Sequence, residues 1–161
     1  MNEEFFNAIY EHLLIAKSAL KEIIAAHQKI NFAKGSIILE SGKIANNYFI
    51  IETELLRAYV NNYEGNEITT DFFCDGELSI EVSSLFQRIP SQENIRAITD
   101  GTAWRIEFDT FQLLFHSIEG YREWGRVWMS HQLFISKQRR IEMLTKSAPD
   151  RYLELLKKVL K

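Results

Sequence analysis

The chain reads as mainly β with flanking helices: a double-stranded β-helix (jelly-roll) barrel set between N-terminal helices and one long C-terminal helix. Three observations predict this. Residues 3–28 and the stretch after Asp109 carry apolar side chains at helical three- and four-residue steps. Between them lie seven short runs rich in β-branched and aromatic residues. Glycine-bearing turns separate those runs closely, the spacing of a small barrel.

Phe5, Ile9, Leu13 and Ala16 share one helical face, and Leu20, Ile23 and Ile24 another. Ser18 is the expected N-cap between two short helices, with Glu22 in the turn behind it. Strands are expected at Lys29 to Ala33, Ile37 to Glu40, Tyr48 to Glu52, Leu55 to Asn61 and Asn66 to Phe73. Lys34-Gly35, Ser41-Gly42 and Glu64-Gly65 turn the chain between them. Asn94 to Thr99 and Ala103 to Phe108 flank Asp100-Gly101, which predicts a hairpin because glycine accepts positive φ. Asp109 is the expected N-cap for a helix over Phe111 to Ser117. A long helix follows from Tyr121 to Lys146, then a last one from Asp150 to Lys161 with Pro149 at its start. The organisation is a barrel with N-terminal helices over 1–120, a long helix over 121–146 and a terminal helix over 147–161.

Size and composition set the bounds. At 161 residues the chain fits one domain with an appended helix. A domain of about 150 residues buries roughly 70% of its unfolded surface, enough for a sizeable core. Two prolines and seven glycines argue against long disordered linkers. A net charge of -3 sets up no global field toward nucleic acid or anionic membrane. Cys74 is the only cysteine, which excludes an internal disulfide and a cysteine-built zinc site. Met1-Asn2-Glu3-Glu4 is acidic where a signal peptide is positive, and no apolar run approaches a membrane span. The cytoplasm is the expected location.

Phe32-Ala33-Lys34-Gly35, Ile37-Ile38 and Glu40-Ser41-Gly42 open the barrel. Tyr48-Phe49-Ile50-Ile51 and Leu56-Arg57-Ala58-Tyr59 follow, and then Asp75 to Asp100. In this order and spacing the segments resemble the catabolite-activator (Crp/Fnr) family of cyclic-nucleotide-binding proteins over nearly the whole chain. The resemblance makes Asp75 to Asp100 the segment that grips a cyclic phosphate and its ribose. Such a site needs backbone N–H groups at a helix start for the anion. It also needs a bidentate cation for the phosphate oxygens and a carboxylate for the ribose hydroxyl.

Counted from the turn glycine Gly76, Glu81 falls on the family's ribose carboxylate, and Val82 to Phe86 form its short helix with Ser83 and Ser84 near the start. Ile80 replaces the family glycine before that carboxylate, and Glu54 replaces a turn glycine. Counted back from Ile95-Arg96-Ala97, Ser91 stands where the phosphate arginine is expected and Gln92 at its neighbour. Another placement puts Gly76-Glu77 on the glycine–glutamate pair and needs an insertion. A hydrogen bond to a charged group is worth roughly 1.5–3 kcal/mol. Losing a bidentate arginine therefore costs about two or more powers of ten in affinity. Cyclic AMP is expected to bind weakly or not at all, which leaves another small anion or no ligand. Glu81 is either a retained ligand group or a cap for the short helix. Arg88 either reaches an anion from another direction or is a solvated loop arginine.

Trp124, Val127, Trp128, His131, Phe134, Ile135, Gln138 and Ile141 form a stripe too wide for a helix that packs only on its own barrel. A homodimer through residues 121–146 is expected. Trp128 and His131 are also candidates to line the pocket, as residues of this helix do in relatives. Lys137, Arg139 and Arg140 read as a solvated basic face. Relatives continue into a helix-turn-helix that enters the major groove. Only Asp150 to Lys161 follows here, so sequence-specific DNA binding is not expected of these residues.

Other classes find little support. His12, His27, His116 and His131 all fall in expected helices, away from the inward strand positions a barrel metalloenzyme uses. Acidic Asp71, Asp75 and Glu77 surround Cys74, the wrong setting for a nucleophile. A regulatory sensor module is the first reading and a ligand-free interaction module the second; an enzyme is the least supported.

Overall fold

Two four-stranded antiparallel sheets face each other, in the strand orders β1-β8-β3-β6 and β2-β7-β4-β5. This computed structural model describes residues 3–160. Met1 and Asn2 of the N-terminal reading, and Lys161 at the end of the last expected helix, lie outside the described residues. The elements run α1 (Glu3–Ile9), α2 (Lys17–Ala25), β1 (Gln28–Phe32), β2 (Ile37–Leu39), β3 (Asn47–Thr53), β4 (Leu56–Asn61) and β5 (Glu67–Phe73). Then come β6 (Leu78–Ser79), α3 (Val82–Gln87), β7 (Asn94–Ala97), β8 (Gly101–Glu107), α4 (Phe108–Ser117), α5 (Glu119–Thr145) and α6 (Ala148–Val159). The jelly-roll class predicted from the sequence is the observed one.

Strand alternation builds two cores from one sheet. On β3, Phe49 and Ile51 point between the sheets and join Phe32, Leu56, Ala58 and Ile95. Tyr48 and Ile50 point the other way, into a core with Phe6, Ile23, Trp104, Phe111, Tyr121 and Trp124. The β1-β8-β3-β6 sheet is thus buried on both faces. Its helical cover anchors the start of α5.

Several local expectations are corrected. Ser18 is not an N-cap: α2 starts at Lys17, and Ala16 at the cap position has no side-chain oxygen. Asp109 sits inside the first turn of α4, which begins at Phe108. Asp100-Gly101 is not a hairpin turn, because β7 and β8 belong to opposite sheets. Gly101 answers to space instead: a Cβ there would lie 2.5 Å from the Thr53 carbonyl oxygen and 2.7 Å from the Phe32 ring. The two-residue strand β6 is too short to announce itself in the sequence. His12 and His27 lie outside the helices, with His27 buried between α2 and β1.

Candidate functional site

The α3 segment folds around its own side chains. Gly76 takes a positive φ of 78° and starts the segment. Glu81 is the N-cap of α3: its carboxylate accepts from the Ser84 backbone N–H at 2.6 Å and from the Ser83 hydroxyl at 2.6 Å. Ser84, fully buried, accepts in turn from the Ala45 backbone N–H at 2.8 Å. Ile80 packs into the core under the helices. Val82 begins α3, whose six residues end at Arg88 in a left-handed conformation with φ 56°.

The remaining residues of the segment do not converge on Glu81. Arg88 donates to the Ala45 carbonyl oxygen at 2.7 Å and to Asn46 Oδ1 at 2.6 Å, with its guanidinium 4.0 Å from the centre of the Phe108 ring. It fastens the loop before β3. Ser91 is buried; its hydroxyl donates to the Glu93 carbonyl oxygen at 2.8 Å. Its backbone pairs with Gly42 and Lys43. Gln92 is exposed, and its carbonyl oxygen accepts from the Ser41 hydroxyl at 3.4 Å. Among the described residues no cation pairs with Glu81. The barrel cavity beside it, reached by Leu39, Asn47, Phe49, Ser79 and Ile95, is about 30 Å³. Asn47 Oδ1 and Ser79 Oγ are buried with no hydrogen-bond partner among the described residues. That space holds water at most, whereas small-molecule pockets run to roughly 300–1,000 Å³.

Residues 29–117, more than half of the chain, match the model of the family described as the cyclic nucleotide-binding domain. The chain belongs to the cyclic nucleotide-binding domain family. No curated protein matches it in sequence. The fold is similar to that of a crp/fnr-family protein from Eubacterium rectale, at a TM-score of 0.72 and 19% identity, covering 89% of this chain and 67% of that one. It is likewise similar to the Thermus thermophilus catabolite activator protein, at a TM-score of 0.70 and 15% identity over 85% of this chain. The chain spans 63% of that activator's length. A third similar structure is the sensor domain of the Pseudomonas aeruginosa regulator DNR, with a TM-score of 0.67, 16% identity, and coverage of 90% of this chain and 95% of that one.

In this cyclic nucleotide-binding domain Trp128 and His131 lie apart from α3. They line a separate cleft of about 280 Å³ that α5 forms with α1 and the β5–β6 turn. Ion pairs close its edge: Arg139 reaches Asp71 at 2.8 Å, and Lys158 reaches Glu77 at 3.1 Å. The eight site residues read from the sequence therefore occupy four places: the start of α3, the Arg88–Asn46 contact, the Ser91 turn and the α5 cleft. Cys74 is half-buried, and burial together with Glu77 pushes its thiol pKa up, away from nucleophilic use. No group of three metal-ligating side chains forms among the described residues.

The most extensive buried polar network escaped sequence reasoning. The Tyr121 hydroxyl lies 2.5 Å from that of Tyr48, Tyr48 lies 2.6 Å from Tyr10, and Tyr10 lies 2.8 Å from His27 Nε2. His27 Nδ1 is 2.8 Å from the Ile23 carbonyl oxygen, which can only accept, so Nδ1 carries a proton. Burial lowers the His27 pKa to about 4, so at neutral pH the ring is neutral and Nε2 accepts. The chain of bonds then has one direction: Tyr121 donates to Tyr48, Tyr48 to Tyr10, and Tyr10 to His27. Burial pushes the Tyr121 phenol up to about 12 and raises those of Tyr10 and Tyr48 as well, keeping all three protonated donors. In the sequence these tyrosines pass for core aromatics, because nothing there joins residues so far apart.

Proposed function

We propose that this chain is a Crp/Fnr-like regulatory module whose phosphate site is degenerate and which binds cyclic AMP weakly or not at all. The observation that carries this is Glu81 bonded to Ser83 and Ser84 beside a cavity of about 30 Å³. A nucleotide would need Glu81 released, the cavity opened and a cation supplied. The Ser91 hydroxyl is held by the Glu93 carbonyl oxygen at 2.8 Å, so Ser91→Arg also breaks that bond. Calorimetric titration with cyclic AMP is expected to give no measurable heat of binding. A micromolar or tighter dissociation constant would overturn the reading.

The small cavity favours a second reading over another small-anion ligand: a ligand-free interaction module derived from a transcription regulator. Thermal-shift screening against nucleotides and small anions separates the two, since a module without a ligand shows no stabilised midpoint. In both readings the protein is cytoplasmic and divides at 1–120, 121–146 and 147–161. In both it pairs as a homodimer along 121–146. Val127, Phe134 and Ile141, seven residues apart on α5, are exposed and support the pairing. Direct sequence-specific DNA binding is outside the proposal: Arg139 is engaged by Asp71, Lys158 by Glu77 and Lys146 by Glu142 and Glu154. A gel shift with nanomolar affinity for the 161-residue chain would refute that part.

A further inference from the structure

Two buried polar atoms on neighbouring strands border the same small space. Asn47 Oδ1 on β3 and Ser79 Oγ on β6 line the cavity beside Glu81, and neither has a hydrogen-bond partner among the described residues. Ser79 is 1% exposed. Its cross-strand partner is Phe49, and Asn47 stands two residues before Phe49 on the same face of β3. Asn47 and Ser79 are therefore diagonal neighbours, a relation that separates backbones by about 7–8 Å in antiparallel sheets. That distance is long for one direct bond between two short side chains. It suits two hydrogen bonds in series, each of about 2.8 Å, through a molecule that lies between them.

The chemistry of these atoms selects the occupant. Asn47 Oδ1 only accepts, whereas the Ser79 hydroxyl both donates and accepts. Glu81 also borders the cavity; as a carboxylate it only accepts, and its bonds to Ser83 and Ser84 leave lone pairs free. A molecule between them must donate at least once, to Asn47. An anion cannot donate, and it would meet these oxygens with no cation beside it. The rest of the lining includes Ile38, Leu39, Phe49 and Ile95, which offer nothing to a larger polar group. Water meets the demand with two donors and two acceptor sites. Buried waters ordinarily bond otherwise unsatisfied groups in polar cavities of this kind. Left unbonded, both atoms would bear the full cost of desolvation.

We infer that a buried water molecule bridges Asn47 and Ser79 and is the resident occupant of the barrel cavity, where it pins β6 to β3. This rests on the reading that the cavity takes no nucleotide, and it names what the cavity holds instead. The two-residue strand β6 pairs with β3 only through Leu78 and Ser79 and leads directly to Glu81. The bridge thus also steadies the entrance to α3. A high-resolution crystal structure of the full chain tests it: density for one water within hydrogen-bond distance of both Asn47 Oδ1 and Ser79 Oγ is expected. Oxygen-17 relaxation dispersion, which counts long-lived internal waters, tests it in solution. Ser79→Val and Asn47→Leu should each lose one such water relative to wild type. The double variant should also lose only one, because both substitutions remove the same molecule. Single variants that keep the wild-type count, or a double variant that loses two, overturn the bridge. The crystal test needs no variant, so it stands even if a substitution unfolds the barrel. A dry cavity in a protein that gives no heat with cyclic AMP overturns the water site and leaves the ligand-free reading intact. Nucleotide density in the cavity overturns both.

Discussion

Glu81 bonds to Ser83 and Ser84, and the Ser91 hydroxyl to Glu93, so these two side chains find partners within three residues. The hydroxyl chain under the helices is built the other way. Its links join residues 73, 38 and 17 positions apart, drawn from α5, β3, the end of α1 and the α2–β1 junction. The first cluster can form wherever a short helix starts. The second exists only when the fold is complete. Polar residues in a segment that resembles a ligand site thus point to a ligand only where they stay unsatisfied by their neighbours. Glu81 and Ser91 are satisfied by theirs, and Ser79, whose buried hydroxyl has no partner among the described residues, borders only the cavity of about 30 Å³.

Breaking the long-range cluster should have the largest effect. Tyr48→Phe removes the middle hydroxyl, leaving the Tyr121 donor without an acceptor and Tyr10 without a donor. Buried orphaned groups cost about 1–3 kcal/mol each, so a loss of about 2–4 kcal/mol is expected in urea unfolding. Tyr121→Phe removes only the terminal donor and should cost less, about 1 kcal/mol. Equal losses would mean that the bonds do not run from Tyr121 to His27.

Acid provides a graded version of the same break. The His27 pKa is about 4 in the fold, lowered by burial from an ordinary 6.5. The unfolded chain therefore takes up the proton first, and the contribution of His27 is complete above pH 6.5. It declines as pH falls toward 4 and is gone below that. At about 1.4 kcal/mol per pKa unit, the loss is about 3 kcal/mol at most. Glu67, held low first by its bond from Arg57, adds its own loss only at lower pH. Urea unfolding between pH 7 and 4.5 should show the decline in wild type and a flatter profile in His27→Gln. A flat wild-type profile would mean that the ring is not desolvated.

The α3 cap should respond more weakly. Glu81→Ala removes one cap and should cost about 1–2 kcal/mol, as N-cap losses do. Glu81→Gln keeps an acceptor and should cost about half of that. A cost for Glu81→Ala above that of Tyr48→Phe would invert the comparison between the two clusters.

What was legible in the sequence follows the same division. The barrel, the long helix and the α3 segment rest on local signals: alternation, helical spacing and turn glycines. The limits of β3, β4 and β5 fall within one residue of those read from the sequence. The Asp100-Gly101 hairpin failed because a local dipeptide cannot report that its flanking strands enter opposite sheets. Ser18 and Asp109 failed as caps because each helix starts one residue ahead of them, where tertiary packing sets the boundary. Glu81, Ser91 and Arg88 were found as residues of interest. The partners of Arg88 and of the Ser91 backbone depend on how the segment closes on residues 42–46, which no spacing reveals. The tyrosine chain left no local trace at all.

The smallest effect is expected at Glu54, where a departure noted in the sequence has a visible backbone consequence. Glu54 takes φ 81°, a left-handed conformation that costs a residue with a side chain roughly 1–2 kcal/mol. Its backbone N–H still donates to Asp75 Oδ1 at 2.6 Å, so the turn is held from across the sheet rather than by Glu54 itself. Glu54→Gly keeps that bond and relieves the strain. It gives back about 0.4–1 kcal/mol through the freer unfolded chain. The expected result is a net gain of about 0.5–1 kcal/mol in urea unfolding. Glu54→Ala retains the Cβ and therefore the strain, and should match wild type. If alanine stabilises as much as glycine, the cost lies in the carboxylate facing Asp75 rather than in the backbone. If both destabilise, the Glu54 side chain makes a favourable contact that outweighs its conformation.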